Sequence, residues 1–212
     1  PVIKVANFIT GIQRTDKTFK NDKQLYSVIL DSGIKIISPD SFQGCSSLTK
    51  IIIPLSVIVI GDNAFMECKS LVDINIPPSV TTIGEFAFCE SGIREINIPY
   101  SVTEIGNAVF YKSTSLKEIC ILPSIKKFGK NVFYGLESIK LQDDLYSIMN
   151  SMFSQCKALK CISIPSSVVS IDSHAFQGCS NLTEISIPSS VEKIRNFAFY
   201  ECESLKKILL PS

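Results

Sequence analysis

Phe65 to Phe88 reads FMECKSLVDINIPPSVTTIGEFAF, and Phe176 to Phe199 reads FQGCSNLTEISIPSSVEKIRNFAF. The two stretches align without a gap. Leu71, Ile74, Ile76, Pro77, Val80 and Ile83 of the first fall on Leu182, Ile185, Ile187, Pro188, Val191 and Ile194 of the second. Working outward from either, the same frame recurs at Phe19, Phe42, Phe65, Phe88, Phe110, Phe133, Phe153, Phe176 and Phe199, with gaps of 23, 23, 23, 22, 23, 20, 23 and 23 residues. A fixed period of 20 to 50 residues is the mark of a stacked repeat, in which no unit buries its own apolar ring and each coil covers the next.

Within a unit, apolar–x–apolar–proline (Ile74, Asn75, Ile76, Pro77) has the two-residue period of a short strand. Proline, which has no N–H to give a ladder, ends it. The Val80 to Ile83 stretch predicts a second extended edge, closed in several units by Gly61, Gly84, Gly106 or Gly129. Around Ala64, Phe65 and Cys68 the three-to-four spacing predicts a single helical turn. The two irregular gaps have one account: a residue is missing before Ile93 and three before Leu136, both in the same turn. A solenoid turn is expected to lose residues without disturbing its neighbours' strands. Nine coils at about 4.8 Å make a strand face roughly 40 Å long. Residues 1–18, where the frame fails, are expected to be an N-terminal flank or cap, and residues 19–212 a solenoid of about nine units with the last incomplete.

The pattern L-x-x-I-x-I-P-x-S-V-x-x-I-G-x-x-A-F-x-x-C, nearly intact from Leu48 to Cys68 and from Leu159 to Cys179, resembles the BspA-like (Treponema pallidum type) leucine-rich repeats. The chain departs from more familiar leucine-rich repeats in placing Ser56, Ser79, Ser101, Ser124, Ser167 and Ser190 where those carry an asparagine ladder. The resemblance implies an α/β leucine-rich-repeat solenoid, right-handed, with short parallel strands on a concave face and one-turn helical or irregular segments on the convex side. It also implies a non-enzymatic, protein-binding role, often in surface or secreted proteins that adhere to host or matrix molecules.

Composition narrows the function from the other side. The 212 residues are 45% hydrophobic and carry a formal charge of +1, so no bulk field draws the chain to nucleic acid or an anionic membrane. The richest apolar run, Ile51 to Ile60, is far shorter than the roughly 20 residues of a membrane span. A single histidine, His174, leaves general-base chemistry poorly supplied, and its turn position predicts a solvent-exposed ring. No catalytic residue, metal ligand or cofactor is expected.

Five of the eight cysteines, Cys45, Cys68, Cys156, Cys179 and Cys202, stand three residues after a repeat phenylalanine. In-register thiols on successive coils suit neither disulfide nor tetrahedral metal geometry, so a buried packing ladder is expected. Cys89 should pack locally, while Cys120 and Cys161 fall on outward strand positions. The repeat serines are expected to hydrogen-bond backbone at the corner. Asn181-Leu182-Thr183 is a single acceptor tripeptide for glycosylation and carries little weight.

The informative surface is the outward half of the strands. One column reads Ser27, Lys50, Asp73, Glu95, Glu118, Ser138, Cys161, Glu184, Lys207, and the next Ile29, Ile52, Asn75, Asn97, Cys120, Lys140, Ser163, Ser186, Leu209. Three consecutive acids occupy the middle, and like charges one strand apart slightly destabilise a sheet. Lys50, Asp73, Asn75, Glu95, Asn97, Glu118, Lys140 and Glu184 are therefore the candidate binding residues. The expectation is a module presenting this face to another protein from a cell surface; an intracellular assembly scaffold is the alternative. The repeat stops mid-unit after Leu205, Ile208 and Leu210, which predicts continuation of the array or end-to-end self-association.

Overall fold

The computed structural model describes residues 5–9, 19–116 and 119–210, with Val5–Ile9 and Cys120 described as backbone only. The chain winds as a parallel β-solenoid of about eight turns. A complete coil has a front strand, a side strand and a turn segment carrying the repeat phenylalanine; after Phe153 the front position holds only an isolated bridge, Ser163 with Ser186. The front strands are Ser27–Leu30, Lys50–Ile52, Asp73–Asn75, Glu95–Asn97, Cys120–Ile121, Lys140–Leu141, Glu184–Ser186 and Lys207–Leu209. The side strands are Ile36–Ile37, Val59–Ile60, Thr82–Ile83, Glu104–Ile105, Lys127–Phe128, Ser147–Ile148, Ser170–Ile171 and Lys193–Ile194. Every pairing is parallel and in repeat register, for example Asp73 with Glu95 and Val59 with Thr82. Ahead of the first coil, Val5–Ile9 adds a strand in parallel to Ser27–Leu30.

The core is the stack of inward positions. Seven repeat phenylalanines from Phe42 to Phe176 are essentially inaccessible. Their rings lie face to face along the axis, 5.4 Å and 3° between Phe42 and Phe65, 5.5 Å and 3° between Phe65 and Phe88. The glycines after the side strand serve close approach: a Cβ on Gly84 would sit 2.7 Å from the amide nitrogen of Asp62 in the preceding coil. The repeat serines do hydrogen-bond backbone at the corner, Ser56 Oγ donating to Ile34 O, Ser79 to Val57 O, Ser167 to Leu145 O and Ser190 to Val168 O at 2.6–2.7 Å. Ser101 and Ser124 stand in the same column with buried hydroxyls that have no such partner.

The expected helical turn does not form; there is no helix among the described residues. Its place is taken by two columns of left-handed backbone. Two residues before the phenylalanine, φ is positive at Asp40, Asn63, Phe86, Ala108, Asn131, Ser151, His174 and Phe197. Two residues after it, φ is positive at Asn21, Gly44, Glu67, Glu90, Lys112, Gly135, Gln155, Gly178 and Glu201. Residues in this conformation cannot continue a right-handed helix. The amides are satisfied another way, alternately by the coil's own turn and by the next coil. Met66 N–H donates to Asn63 O at 3.1 Å and Cys68 N–H to Phe65 O at 3.2 Å, whereas Asn63, Phe65 and Glu67 donate to Glu85, Ala87 and Cys89 of the next coil at 2.8 Å. The turn segments thus form a third inter-coil ladder. Apolar spacing by three and four reports the inward face of this ladder as readily as that of a helix, which is why the two are confused in the sequence.

The two shortened turns differ in outcome. After the one-residue deletion, Phe86, Phe88 and Glu90 still donate to Asn107, Val109 and Tyr111. After the three-residue deletion the ladder is interrupted, so the expectation that both deletions leave neighbouring coils undisturbed holds for the first and fails for the second.

Candidate functional site

The alternation that sets the front face is plain in the structure. In Lys50–Ile52, Asp73–Asn75, Glu95–Asn97 and Glu184–Ser186 the middle residue is buried and its two neighbours are exposed. Lys50, Asp73, Asn75, Glu95, Asn97, Lys140 and Glu184 are all exposed. Glu118 lies outside the described residues. Strand register sets Asp73 directly opposite Glu95 and Asn75 opposite Asn97.

Some acids on the surface are compensated from the next coil. Glu90 pairs with Lys112 at 3.8 Å, Glu104 with Lys127 at 2.7 Å, Glu137 with Lys160 at 2.9 Å and Asp172 with Arg195 at 3.0 Å, each bridge joining successive coils. Glu184 joins the same scheme through Lys207 at 3.7 Å, directly opposite it in register. Asp73 and Glu95 have no ion pair with another described residue. The face is apolar on the N-terminal side of them, where Ile29 and Ile52 are 43% and 45% exposed. Beside Asn97, at the corner, lies a recess of about 600 Å³ lined by Pro78, Asn97, Pro99, Tyr100, Leu122 and Gln142. Side-chain exposure of Ile29 and Ile52 was visible in the repeat frame, but the corner recess depends on how coils offset and has no sequence signature.

The cysteine column is a hydrogen-bonded ladder as well as a packed one. Cys45, Cys68, Cys179 and Cys202 donate through Sγ to the carbonyls of Phe19, Phe42, Phe153 and Phe176, one coil back, at 2.9–3.2 Å. Ser113 takes the same role, donating to Phe88 O at 2.6 Å. Burial pushes the Cys45 and Cys89 thiols up to about 11 and that of Cys68 higher still. For Cys179 and Cys202 the neighbouring thiol in the column raises the value first, with burial adding to it. A thiol held protonated in this way is a poor nucleophile and a poor metal ligand. Cys161 is exposed as expected; of Cys120 only the backbone is described. Among the described residues no group of three or more His, Cys, Asp or Glu side chains is placed to hold a metal ion, and no helix is long and apolar enough to cross a membrane.

His174 departs from expectation. It is half-buried rather than solvent-exposed, with its ring stacked on Phe197 at 5.3 Å and 13° and its Nδ1 buried without a partner. Its backbone is one of the left-handed positions, φ 59°. That conformation, repeated in each coil, aims successive side chains of the column along one line, so His174 meets Phe197 as Tyr111 meets Tyr134 three positions further along the turn, at 4.6 Å.

These features, a coil of two short strands and an alternating turn with an inward phenylalanine, coincide with a known repeat: the profile of the BspA type leucine-rich repeat region matches residues 13–139 and 135–212. The chain belongs to the BspA-type leucine-rich repeat family. Among solved structures, a leucine-rich repeat protein from Bacteroides ovatus is 30% identical, with a TM-score of 0.70 over 92% of this chain and 57% of its own. A leucine rich cell surface protein from Faecalibacterium prausnitzii is 27% identical, with a TM-score of 0.50 over 93% of this chain and 62% of its own. The pneumococcal vaccine antigen PcpA, 23% identical with a TM-score of 0.61 over 88% of this chain and 51% of its own, shares the fold. None of the curated proteins matches. This BspA-type array spans between about half and three-fifths of the length of those three structures.

Proposed function

We propose that this BspA-type array is a non-catalytic protein-binding module displayed at a cell surface, and that its partner docks a basic segment on the front strand face around Asp73, Glu95 and Glu118. The observation that carries the reading is the in-register pairing of Asp73 with Glu95 across one strand spacing, two exposed acids side by side with no counter-ion among the described residues, where the same column farther along sets Glu184 opposite Lys207. Like charges in register cost stability, and a basic partner removes that cost. Asn75 and Asn97 offer amide donors and acceptors beside the acids, while Lys50, Lys140 and Glu184 mark the edges of the face. The surface location is supported by the cell surface protein that is 27% identical over nearly the whole chain. Residues 1–18 act as a flank covering the first coil, to which the Val5–Ile9 pairing already points.

The test uses the whole array as bait on extracts and culture supernatants, followed by the triple reversal Asp73→Lys, Glu95→Lys, Glu118→Lys. Binding of a basic partner should be lost while melting is nearly unchanged. Undiminished capture by the reversed array would sink the acidic-face reading, and recovery of the native protein from cytosol rather than by surface biotinylation would sink the location.

A further inference from the structure

One full turn of the solenoid is a seam. On the side, Lys127–Phe128 ends one sheet and Ser147–Ile148 begins another, with no pairing between them. In the turn ladder, Ala108, Phe110 and Lys112 on one coil and Ser151, Phe153 and Gln155 two coils on donate to their successors at 2.6–3.1 Å, but Asn131, Phe133 and Gly135 between them do not. On the front, Lys140–Leu141 pairs backward with Cys120–Ile121 and forms no ladder with residues 160–162. A recess of about 300 Å³ opens there, between Ser138, Lys140, Asp143, Ser163 and Pro165. Contacts across the seam include Lys160 N–H to Glu137 O at 3.4 Å and the exposed Lys160–Glu137 ion pair. The front sheet also breaks between Ile52 and Asp73, yet at that step the side and turn ladders run on.

The cause is in the chain. Three residues are missing between Gly135 and Leu136, so the turn after Phe133 is too short to lie parallel to the one after Phe153. The phenylalanine column changes tilt here: Phe133 and Phe153 are inclined by 34°, against 8° for Phe110 and Phe133 and 25° for Phe153 and Phe176. Phe128 stands where other coils have isoleucine, and it leans on Phe133 at 5.7 Å and 53°. Apolar contact between these rings therefore carries much of a step at which the side and turn ladders that fix the neighbouring steps are interrupted. Such contact is non-directional, and elements joined by it slide and tilt where a hydrogen-bonded ladder does not.

We infer that the seam is a hinge, dividing the array into two bodies, residues 19–141 and 147–210, whose front faces change their mutual angle. Asp73 and Glu95 ride on the first body and Glu184 on the second. A partner spanning both selects one angle and is excluded by others.

Spin labels test this on the whole chain with Cys120→Ser throughout. A pair at Glu95→Cys and native Cys161 spans three coil steps across the seam. A pair at Ser27→Cys and Glu95→Cys, with Cys161→Ser, spans three steps within the first body. The first pair should give a distance distribution roughly twofold broader than the second. Copying Cys156-Lys157-Ala158 between Gly135 and Leu136 restores the 23-residue spacing and should narrow it. Independently, in the unmodified chain the Asn131, Phe133 and Gly135 amides should exchange about tenfold or more faster than those of Phe110 and Phe153. Equal widths for the two pairs, or equal exchange, would overturn the hinge.

Discussion

Replacing Phe65 by alanine tests whether the phenylalanine column is the axis of this fold. The side chain is fully buried and sandwiched between Phe42 at 5.4 Å and Phe88 at 5.5 Å, both within 3° of parallel. An aromatic side chain buries about 150–250 Å², which at ~25 cal/mol per Å² is about 4–6 kcal/mol for complete removal. Alanine keeps its Cβ, and measured Phe→Ala changes of about 3–5 kcal/mol include the residual cavity. Neighbouring coils cannot close that cavity, because Asn63 N–H and Glu67 N–H hold the turn to the next coil at 2.8 Å on either side of it. The upper half of the range is therefore expected, about 4–5 kcal/mol, which for a chain of this size lowers Tm by roughly 8–20 °C. Urea denaturation followed by circular dichroism measures it, since the chain has no tryptophan. Repeat arrays unfold by segments, so amide exchange in the coils flanking Phe65 should rise before that near Phe176. A loss below about 1 kcal/mol, or uniform loosening of the array, would refute the claim that this ring is a local, rigid spacer.

Three further outcomes follow from the same geometry. Gly84→Ala should destabilise by about 1–3 kcal/mol in a thermal melt, because its Cβ would meet Asp62 backbone at 2.7 Å, whereas alanine at exposed Glu192 should be near neutral. Glu95→Lys, placed opposite Asp73, should raise stability by about 0.2–1 kcal/mol in denaturant titration even as it removes acidic character from the front face; a loss would mean that the two acids do not repel. Cys45 and Cys89 are raised to about 11 from 9, so the folded state holds their protons more tightly than the unfolded state does. Their contribution is complete below pH 9 and drains away between pH 9 and 11. Cys89→Ser should flatten that part of the curve, and an unchanged slope would show that other groups dominate it.

The repeat made most of this fold legible in advance. Nine phenylalanines in frame, with Ile74-x-Ile76 and its eight counterparts, six of the nine followed directly by proline, locate the strands, the register and the outward columns because a period-two pattern leaves little choice of face. The turn segment was misread for a physical reason. Ala64, Phe65 and Cys68 are spaced as on a helix, and the signal that excludes one is a backbone sign, positive φ at Asn63 and Glu67, carried in different units by Asp, Phe, Ala, Ser, His or Lys. Glycine or asparagine marks the conformation at Asn21, Gly44, Asn63, Asn131, Gly135 and Gly178, but the other units fill the same positions with residue types that do not announce it. His174 was misplaced for the same reason, since only that left-handed column sets its ring on Phe197. Of the candidate face, exposure and the stacking of acid on acid at Asp73 and Glu95 are both legible in the repeat column, which also sets Glu184 beside Lys207; the ion pair that closes between the latter two at 3.7 Å is seen only in the structure.

The left-handed residues also explain why the array tolerates one missing residue and not three. Each turn segment is held to the next by alternate amides, so its position is set by bonds two residues apart on both sides of the phenylalanine. Removing one residue before Ile93 falls after the last of these donors, Glu90, and the connection simply tightens: Gly92 N–H reaches back to Cys68 O at 3.1 Å. Removing three before Leu136 leaves only Gly135 between the turn and the first inward leucine, pulling the segment off the line along which Phe133 would meet Phe153. A ladder of alternating donors has no partial register to fall back on, because a shift by one residue presents an amide already committed to its own turn. The fault in the turn and side ladders is therefore confined to one step, and both bodies keep those two ladders up to its edge. A one-residue insertion after Gly135 should consequently leave the seam open, whereas the three-residue insertion closes it, and amide protection at Phe133 distinguishes the two.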